Sequence, residues 1–531
     1  MSAAERVAAG SGLRGATHDD LPAMAEIFVR SWLGAYGGIV PDDVLDSLQP
    51  GSVAADLAVG LDDPRLITVL ALGTAGEPVG FARFGDDVTD RSDRSDREGG
   101  AGGRDGYLAA LYVHPAASGL GIGGRLLRHA LDAMPGRAVG LWVFEANSRA
   151  RSVYEKAGFR PAGPRRTDPR WRTPQIPMRR PARNEPRPLP ALPDLTLPRV
   201  RAVSTTVVQR PLRRPFRTAL RTVHTLSAIE VTLHTADGLS ATGSTVATPA
   251  VTGDTADAVL AALHGPISHA LRRGPRDFAQ ALRAVEAAAP GVASARAAAD
   301  VALHHLAASS PAFARTGLPG LLGNTPLPVR SDLTISVDSP AAMATSALEA
   351  AEAGFDTLKL KLADAEVDVR RVSEVHAGLG GAERRVVLRV DANQAWTPDE
   401  AVHVLDRIAA LGIDLELVEQ PVRAADLAGL AHVRRNSPWP VLADESVFTA
   451  DDVRRVADAS AADLVNLKLL KCGGLGPARE VVAACAETGL GLVVGCMLEP
   501  AEGVAAARHL AAAATVGPLA HDLDAGWWAA T

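Results

Sequence analysis

At 531 residues the chain is too long for one ordinary domain, and two to four are expected. Lysine and arginine total 55 against 61 acidic residues, a net charge of −6, which argues against non-specific attachment to nucleic acid or to an anionic membrane surface. Three cysteines (Cys472, Cys485, Cys496) lack metal-ligand spacing and read as small core residues in a reducing compartment, and no uncharged apolar run is long enough to span a membrane.

The opening MSAAERVAAGSGLRG has no apolar core of the kind a signal peptide carries, so a cytoplasmic protein is expected. The first informative stretch is LYVHPAASGLGIGGRLL: an apolar strand, a proline, a glycine-rich turn and an amphipathic helix. Glycines at 119, 121, 123 and 124 let backbone amides approach a ligand closely, and the start of the helix favours an anion. VGLWVFEANSRARSVYEKAGF follows, and the pair of motifs resembles the GNAT acetyltransferase family over roughly residues 11–180.

That resemblance implies an α/β fold for residues 1–180 and acetyl-CoA as cofactor. It places the pyrophosphate on the turn formed by Ser118, Gly119, Gly121, Ile122, Gly123 and Gly124, with Val113 beside the cofactor. Asn147 would contact the cofactor arm, and Tyr154 would protonate the departing thiolate. The chain departs from the pattern at Ser118, where arginine or glutamine is usual, and AALYVHP offers no carboxylate as general base. Glu145 or a chain of waters could take that part, and the amine acceptor stays open.

Residues 86–106 are charged, glycine-rich and almost free of apolar side chains, so they read as a flexible surface insertion between two strands. Residues 181–197 are rich in proline and arginine and are expected to form a semi-rigid linker. Beyond it, VRAVSTTVVQRP and LSAIEVTLHTADGLSATGSTVA alternate apolar and polar residues around an Asp237-Gly238 turn, the pattern of an antiparallel meander. Helical periodicity then runs to about Ala314, with His304 and His305 on a helix surface or in its core, so residues 198–328 read as an α+β capping domain. From Ser331, strand and helix patterns alternate through residues 329–531 in the manner of parallel βα units, of which about seven and a half fit.

Within that last region three acidic residues each close a short apolar run: Asp391 in VVLRVD, Glu419 in LELVE and Asp444 after PVLA, at gaps of 28 and 25 residues. A βα unit of a barrel of about 250 residues needs that much chain, so these carboxylates should converge at the carboxyl ends of three consecutive strands. Three hard oxygen ligands suit Mg²⁺. Lys359 and Lys361 close DTLKLK, and Lys468 closes DLVNLK on a strand expected across the barrel. A cation holding a substrate carboxylate, with a lysine on either side, is the equipment for moving a proton on the adjacent carbon through an enediolate. Racemisation or epimerisation is the favoured reading of the residues, with elimination as the alternative.

This pattern resembles the muconate-lactonising subgroup of the enolase superfamily over about residues 198–525, and within it the dipeptide epimerases of the Ala-Glu type. The resemblance implies a (βα)7β TIM-like barrel, here expected to be truncated at its C-terminus, and an isomerase acting on dipeptides. It implies Asp391, Glu419 and Asp444 as Mg²⁺ ligands, Lys361 and Lys468 as the acid/base pair, and Lys359 as their electrostatic neighbour. Asn393 and Glu445 match positions beside the metal, and Lys471 is the fallback for Lys468. Asp522 and Asp524 in HDLDAG match the pair that receives the dipeptide's ammonium. Another racemase, a cycloisomerase, a dehydratase or a ligand sensor remains the alternative; partners are small molecules, with a homo-oligomer left open.

Overall fold

The computed structural model describes residues 12–73, 76–86, 105–134, 137–181, 183–323, 328–380 and 386–529. It divides into two compact units, Met1–Arg183 and Asn184–Thr531. Most of the expected charged insertion, residues 87–104, lies outside the described residues.

In the first unit the strands Leu13–Gly15, Leu66–Leu72, Pro78–Asp86 and Gly106–Val113 run antiparallel in sequence order. Strand Val139–Phe144 then lies parallel to Gly106–Val113, but the pairing holds only at Gly106↔Val139 and Tyr107↔Gly140. Past those two positions the strands part, so the sheet opens toward the Val113 and Phe144 ends. Helix Ile122–Asp132 buries Leu126, Leu127 and Ala130 against the sheet, which places the glycine turn beside that opening.

The second unit begins with a strand-and-helix layer. Val200–Arg217, Thr222–Thr235 and Ser240–Val246 form the expected antiparallel meander, packed on helices such as Ala293–Ala308. A methyl at Gly243 would come within 2.0 Å of the Ala298 carbonyl oxygen, so only glycine allows that helix to sit so close.

Seven parallel strands follow in strict order: β1 (Leu333–Ile335), β2 (Thr357–Lys361), β3 (Val387–Asp391), β4 (Val418–Glu419), β5 (Val441–Ala443), β6 (Leu464–Lys468) and β7 (Gly491–Gly495). The ring closes in spite of the expected truncation. His521 bridges Ser331 at the start of β1, and Asp522 bridges Gly495 at the end of β7, both in parallel sense. Backbone bonds from Asp332 N to His521 O (2.8 Å) and from Cys496 N to Asp522 O (2.9 Å) complete that eighth position. Arg389, buried inside the ring, ties it shut: its guanidinium donates to Asp332 Oδ2 on one side and to the Ala520 carbonyl on the other. Removing one partner of a buried ion pair of this kind typically costs about 3–5 kcal/mol.

The stretch expected to be a spacer is part of this unit. Glu185–Pro186 pairs antiparallel with Thr515–Val516, and the Asn184 amide both donates to and accepts from the Leu519 backbone. Leu189, Leu192 and Leu195 pack on the core. Prolines hold the segment extended, while these leucines give it an apolar side that burial rewards.

Candidate functional site

Register explains the convergence at the barrel mouth. Lys361 on β2 is the Cα partner of Asp391 on β3, and Asp391 is the partner of Glu419 on β4. Glu419 pairs in turn with Leu442 on β5, one residue before Ala443 and two before Asp444. Lys361, Asp391 and Glu419 thus leave adjacent strand ends at the same level, with Asp444 two residues further along the next strand. Alternation puts Lys359 on the face of Lys361, and Asn466 on the face of Lys468. In a ring of eight positions β2 and β6 stand opposite each other, so Lys361 and Lys468 reach in from facing walls. Gly495 on β7 makes room for one of them, since a Cβ there would lie 2.8 Å from Lys468 Cε.

The side chains form a buried ionic lattice. Lys361 Nζ meets Asp391 Oδ2. Lys359 Nζ lies 3.1 Å from Glu419 Oε2 and 2.7 Å from Asp522 Oδ2. Lys468 Nζ lies 2.8 Å from Asp444 Oδ2 and 3.6 Å from Asp522 Oδ2, so Asp522 sits between lysines of the two walls. Asn466 Nδ2 donates to both Glu419 and Asp522. Lys471 is buried behind the site, donating to the Asp444 carbonyl and Oδ1 and to the Asn466 carbonyl, which suits a neutralising role rather than that of an acid/base facing a substrate.

Electrostatics follow from this crowding. Burial alone would lower the lysines, yet Asp522, Glu419 and Asp391 carry Lys359, and Asp444 and Asp522 carry Lys468, well above the ordinary lysine range. Burial would likewise raise Asp444, but Lys468 and Lys471 hold it far below the usual carboxylate value. Glu419 is raised by burial and by Asp391. Glu445 is pushed up to about 7 by burial, Asp444 and Asp391. Carboxyl groups at 391, 419, 444, 445, 522 and 524 thus outnumber the lysines at 359, 361, 468 and 471.

The donor set fits a divalent cation. Asn393 Oδ1, Glu445 Oε2 and Asn466 Oδ1 are buried acceptor oxygens without a hydrogen-bond donor, an acceptor surplus that a hard cation would satisfy. Among the described residues no three acidic, histidine or cysteine side chains are already gathered around a common point, because lysines hold their oxygens. Asp391, Glu419 and Asp444 close three adjacent strands, which lie about 4.8 Å apart. The backbone behind them is over-determined: Asn393 (φ 43°) and Gln420 (φ 32°) adopt left-handed conformations just after two of these carboxylates. Asn393 donates to Asp391 Oδ1 through its backbone and to Glu445 Oε1 through its amide. Gln420 Oε1 accepts from the Asp444 and Ser446 amides, which fixes the end of β5.

A cavity of about 60 Å³ lies over this lattice, and its walls include Lys361, Lys468, Asp524, Phe216, Arg221 and Trp528. Asp522 and Asp524 both reach it, but with different partners: Asp524 Oδ2 accepts from Thr334 N (2.7 Å) and from Trp528 Nε1 (3.2 Å). The turn between Arg217 and Thr222 brings in Arg221. Burial lowers its pKa with no acidic neighbour to offset the effect, and no ion pair engages it among the described residues. Sequence reasoning missed Asn466 and Gln420, and it reached Arg221 only as part of RRPFRTALRTVHT, a stretch that resembles the family's mobile specificity loop. Asn466 was legible, standing two residues before Lys468 on one strand face; the place of Arg221 was not, because only the fold carries a meander turn to the barrel mouth.

In the first unit Gly119 (φ +87°) and Gly121 (φ +76°) adopt the left-handed backbone that opens helix Ile122–Asp132, with Gly123 and Gly124 in its first turn. Ser118 accepts a hydrogen bond from Arg149 Nη2 (2.7 Å), which brings a guanidinium beside the glycine turn. The Val113 carbonyl accepts from Ser31 Oγ (2.8 Å). Asn147 caps helix Ser148–Lys156 through Ala150 N. Tyr154 packs against Phe159, and burial holds its phenol protonated well above the ordinary range. Glu145 pairs with Arg165 at 3.5 Å.

Comparisons with known proteins agree in both units. Residues 22–159 match the model of the acetyltransferase (GNAT) family, residues 201–323 that of the mandelate racemase / muconate lactonizing enzyme N-terminal domain, and residues 342–529 that of the enolase C-terminal domain-like family. The chain is 39% identical to the L-Ala-D/L-Glu epimerase of Clostridium acetobutylicum, over 57% of this chain and 84% of that protein. It is 34% identical to the hydrophobic dipeptide epimerase of Enterococcus faecalis, over 57% and 84%. The substrate-liganded L-Ala-D/L-Glu epimerase from Bacillus subtilis superposes with a TM-score of 0.59 at 35% identity, covering 63% of this chain and 92% of that one. The Enterococcus faecalis dipeptide epimerase complexed with Mg and L-Leu-L-Tyr gives 0.58 at 31% identity, covering 64% and 92%.

A cation that relieves the carboxylate surplus must stabilise the fold. Adding Mg²⁺ at about 100 times its dissociation constant is expected to stabilise by roughly 2.7 kcal/mol, read as a rise in the thermal midpoint. Asp391→Asn should abolish most of that rise; an equal rise in the variant would remove Asp391 from the cation site.

Proposed function

This chain belongs to the enolase superfamily, in its mandelate racemase and muconate-lactonizing branch, with a GNAT-family domain ahead of it, and on that premise we propose that it epimerises a dipeptide whose second residue is acidic. The observation that carries the reading is the pair of lysines on facing walls of one cavity, with carboxylates massed beneath them. A bound Mg²⁺ would offset the charge that builds on the substrate carboxylate when the neighbouring α-proton leaves.

The protein's own groups then divide the work. One of Lys361 and Lys468, when neutral, removes the α-proton from its face, and the other, as ammonium, returns a proton from the opposite face, which inverts the centre. Asp522 and Asp524 together offer acceptors for the ammonium of the first residue, a cation whose burial without partners would be costly. Arg221, half-buried at the cavity wall and without an acidic partner, suits a second carboxylate on the substrate. An acidic side chain at the second residue supplies it, which favours an Ala-Glu-like dipeptide over an aliphatic one.

The reading extends to the first unit: acetyl-CoA binds at the glycine turn, and Tyr154 gives its proton to the departing thiolate. The phenol, partly buried against Phe159 on the helix that Asn147 caps, supports that role. The acceptor is an amine whose identity an amine library would establish.

Three tests follow. In D₂O, Lys361→Ala and Lys468→Ala should each abolish inversion, while each variant still exchanges the α-proton of one epimer; retention of full epimerase activity by either would refute the acid/base pair. Arg221→Gln should lower kcat/KM for Ala-Glu by 10- to 100-fold and leave Ala-Ala within a factor of three, a contrast that vanishes if Arg221 does not read the side chain. Tyr154→Phe should cut acetyl transfer by about 10²-fold with acetyl-CoA affinity by calorimetry unchanged, and undiminished transfer would exclude Tyr154 as the acid.

A further inference from the structure

The short helix Ala525–Trp528 directly follows Asp524, and its two tryptophans make contacts that the reaction as described leaves unexplained. Trp528 is one of the largest side chains in the second unit to be fully buried, yet it also borders the cavity. Its indole N–H donates to Asp524 Oδ2. Its ring stands edge-on to Phe216, with centroids 4.7 Å apart at 87°. The next residue, Ala529, forms an antiparallel bridge with Leu212, and its carbonyl accepts from Arg213 Nε (3.1 Å). Trp527 adds a second hold, with Arg213 Cζ 4.9 Å from its ring centroid and Phe355 against its other side.

One side chain therefore touches two groups of the cavity lining. Asp524 is the acceptor that suits the dipeptide's ammonium. Phe216, paired with Val223, lies at the base of the hairpin turn that carries Arg221, the group that suits the acidic side chain. The Thr334 amide and the Trp528 indole both bind Oδ2 of Asp524, which sets the plane of the carboxylate and leaves Oδ1 for another donor. An indole N–H is a donor only, so it offers the ammonium no acceptor of its own and leaves the carboxylate as the ammonium's partner.

We propose that Trp528 is a positioning residue that couples the two recognition ends: its N–H orients Asp524 toward the substrate ammonium, and its ring seats Phe216 and with it the hairpin bearing Arg221. The proposal rests on the dipeptide reading above and deepens it, since amine recognition and side-chain selection then depend on one residue.

Two variants separate the functions. Trp528→Phe keeps a ring against Phe216 but removes the N–H. It should raise KM for free Ala-Glu about tenfold, the equivalent of one lost hydrogen bond to a charged group, with kcat within a factor of two and the Ala-Glu over Ala-Ala preference intact. Trp528→Ala also frees the hairpin: the preference should shrink at least fivefold, and trypsin should cut the full-length chain faster after Arg217 or Arg221. An unchanged KM in Trp528→Phe, or unchanged cleavage in Trp528→Ala, overturns the coupling. Wild-type exchange of the Ala-Glu α-proton in D₂O is the control. Its absence would fault the dipeptide reading, and the trypsin comparison, which needs no substrate, would still decide whether Trp528 holds the hairpin.

Discussion

Everything at the barrel mouth answers to one electrostatic constraint: more carboxylate than ammonium is buried in one small space. Burying a charge without a partner is prohibitive, so the fold interleaves lysines from two facing walls with acids from three adjacent strands and from the position that closes the ring. The remaining imbalance appears as acceptor oxygens without donors and as carboxyls such as Glu445 raised toward neutrality. A stable fold would gain nothing from that surplus. It makes sense as preorganisation for a cation and for a substrate that brings positive charge of its own.

The rest of the second unit holds this arrangement in place. Arg389 sits one layer below, binding Asp332 and the Ala520 carbonyl and so joining the first strand to the closing segment that carries Asp522 and Asp524. His521 is pinned between Val494 N and Thr515 Oγ1, and burial with Arg389 nearby lowers its pKa to about 3, so it stays neutral beside the acids. Above the ring the meander hairpin supplies Phe216 and Arg221, and Trp527 and Trp528 fasten that hairpin to the segment just past Asp524. In the proposed reading, rigid barrel strands carry the groups that move protons, whereas a turn and a short helix carry those that choose the substrate. That division is common because loops vary without disturbing the scaffold.

The first unit applies a different physics to a similar end. Its glycine turn depends on two glycines with left-handed backbone, and its sheet opens because two parallel strands share only two paired positions. Arg149 reaches from the next helix to Ser118 and brings a guanidinium beside the turn.

Much of this was readable before any coordinate. The spacing of Asp391, Glu419 and Asp444 follows from the length of a βα unit, and the pairing of Lys359 with Lys361 on one face follows from strand alternation. Asp237-Gly238 marked the meander, and GLGIGG marked the glycine turn that opens a helix. Short-range rules of this sort act between residues near in sequence, so the chain alone determines them. Three things depended on contacts between residues distant in sequence. They are the closing of the ring by His521 and Asp522, the pairing of Glu185–Pro186 with Thr515–Val516, and the meeting of Arg221, Phe216 and Trp528 over the lysines. No periodicity encodes such meetings; only packing the two layers of the second unit together decides which side chains share a cavity.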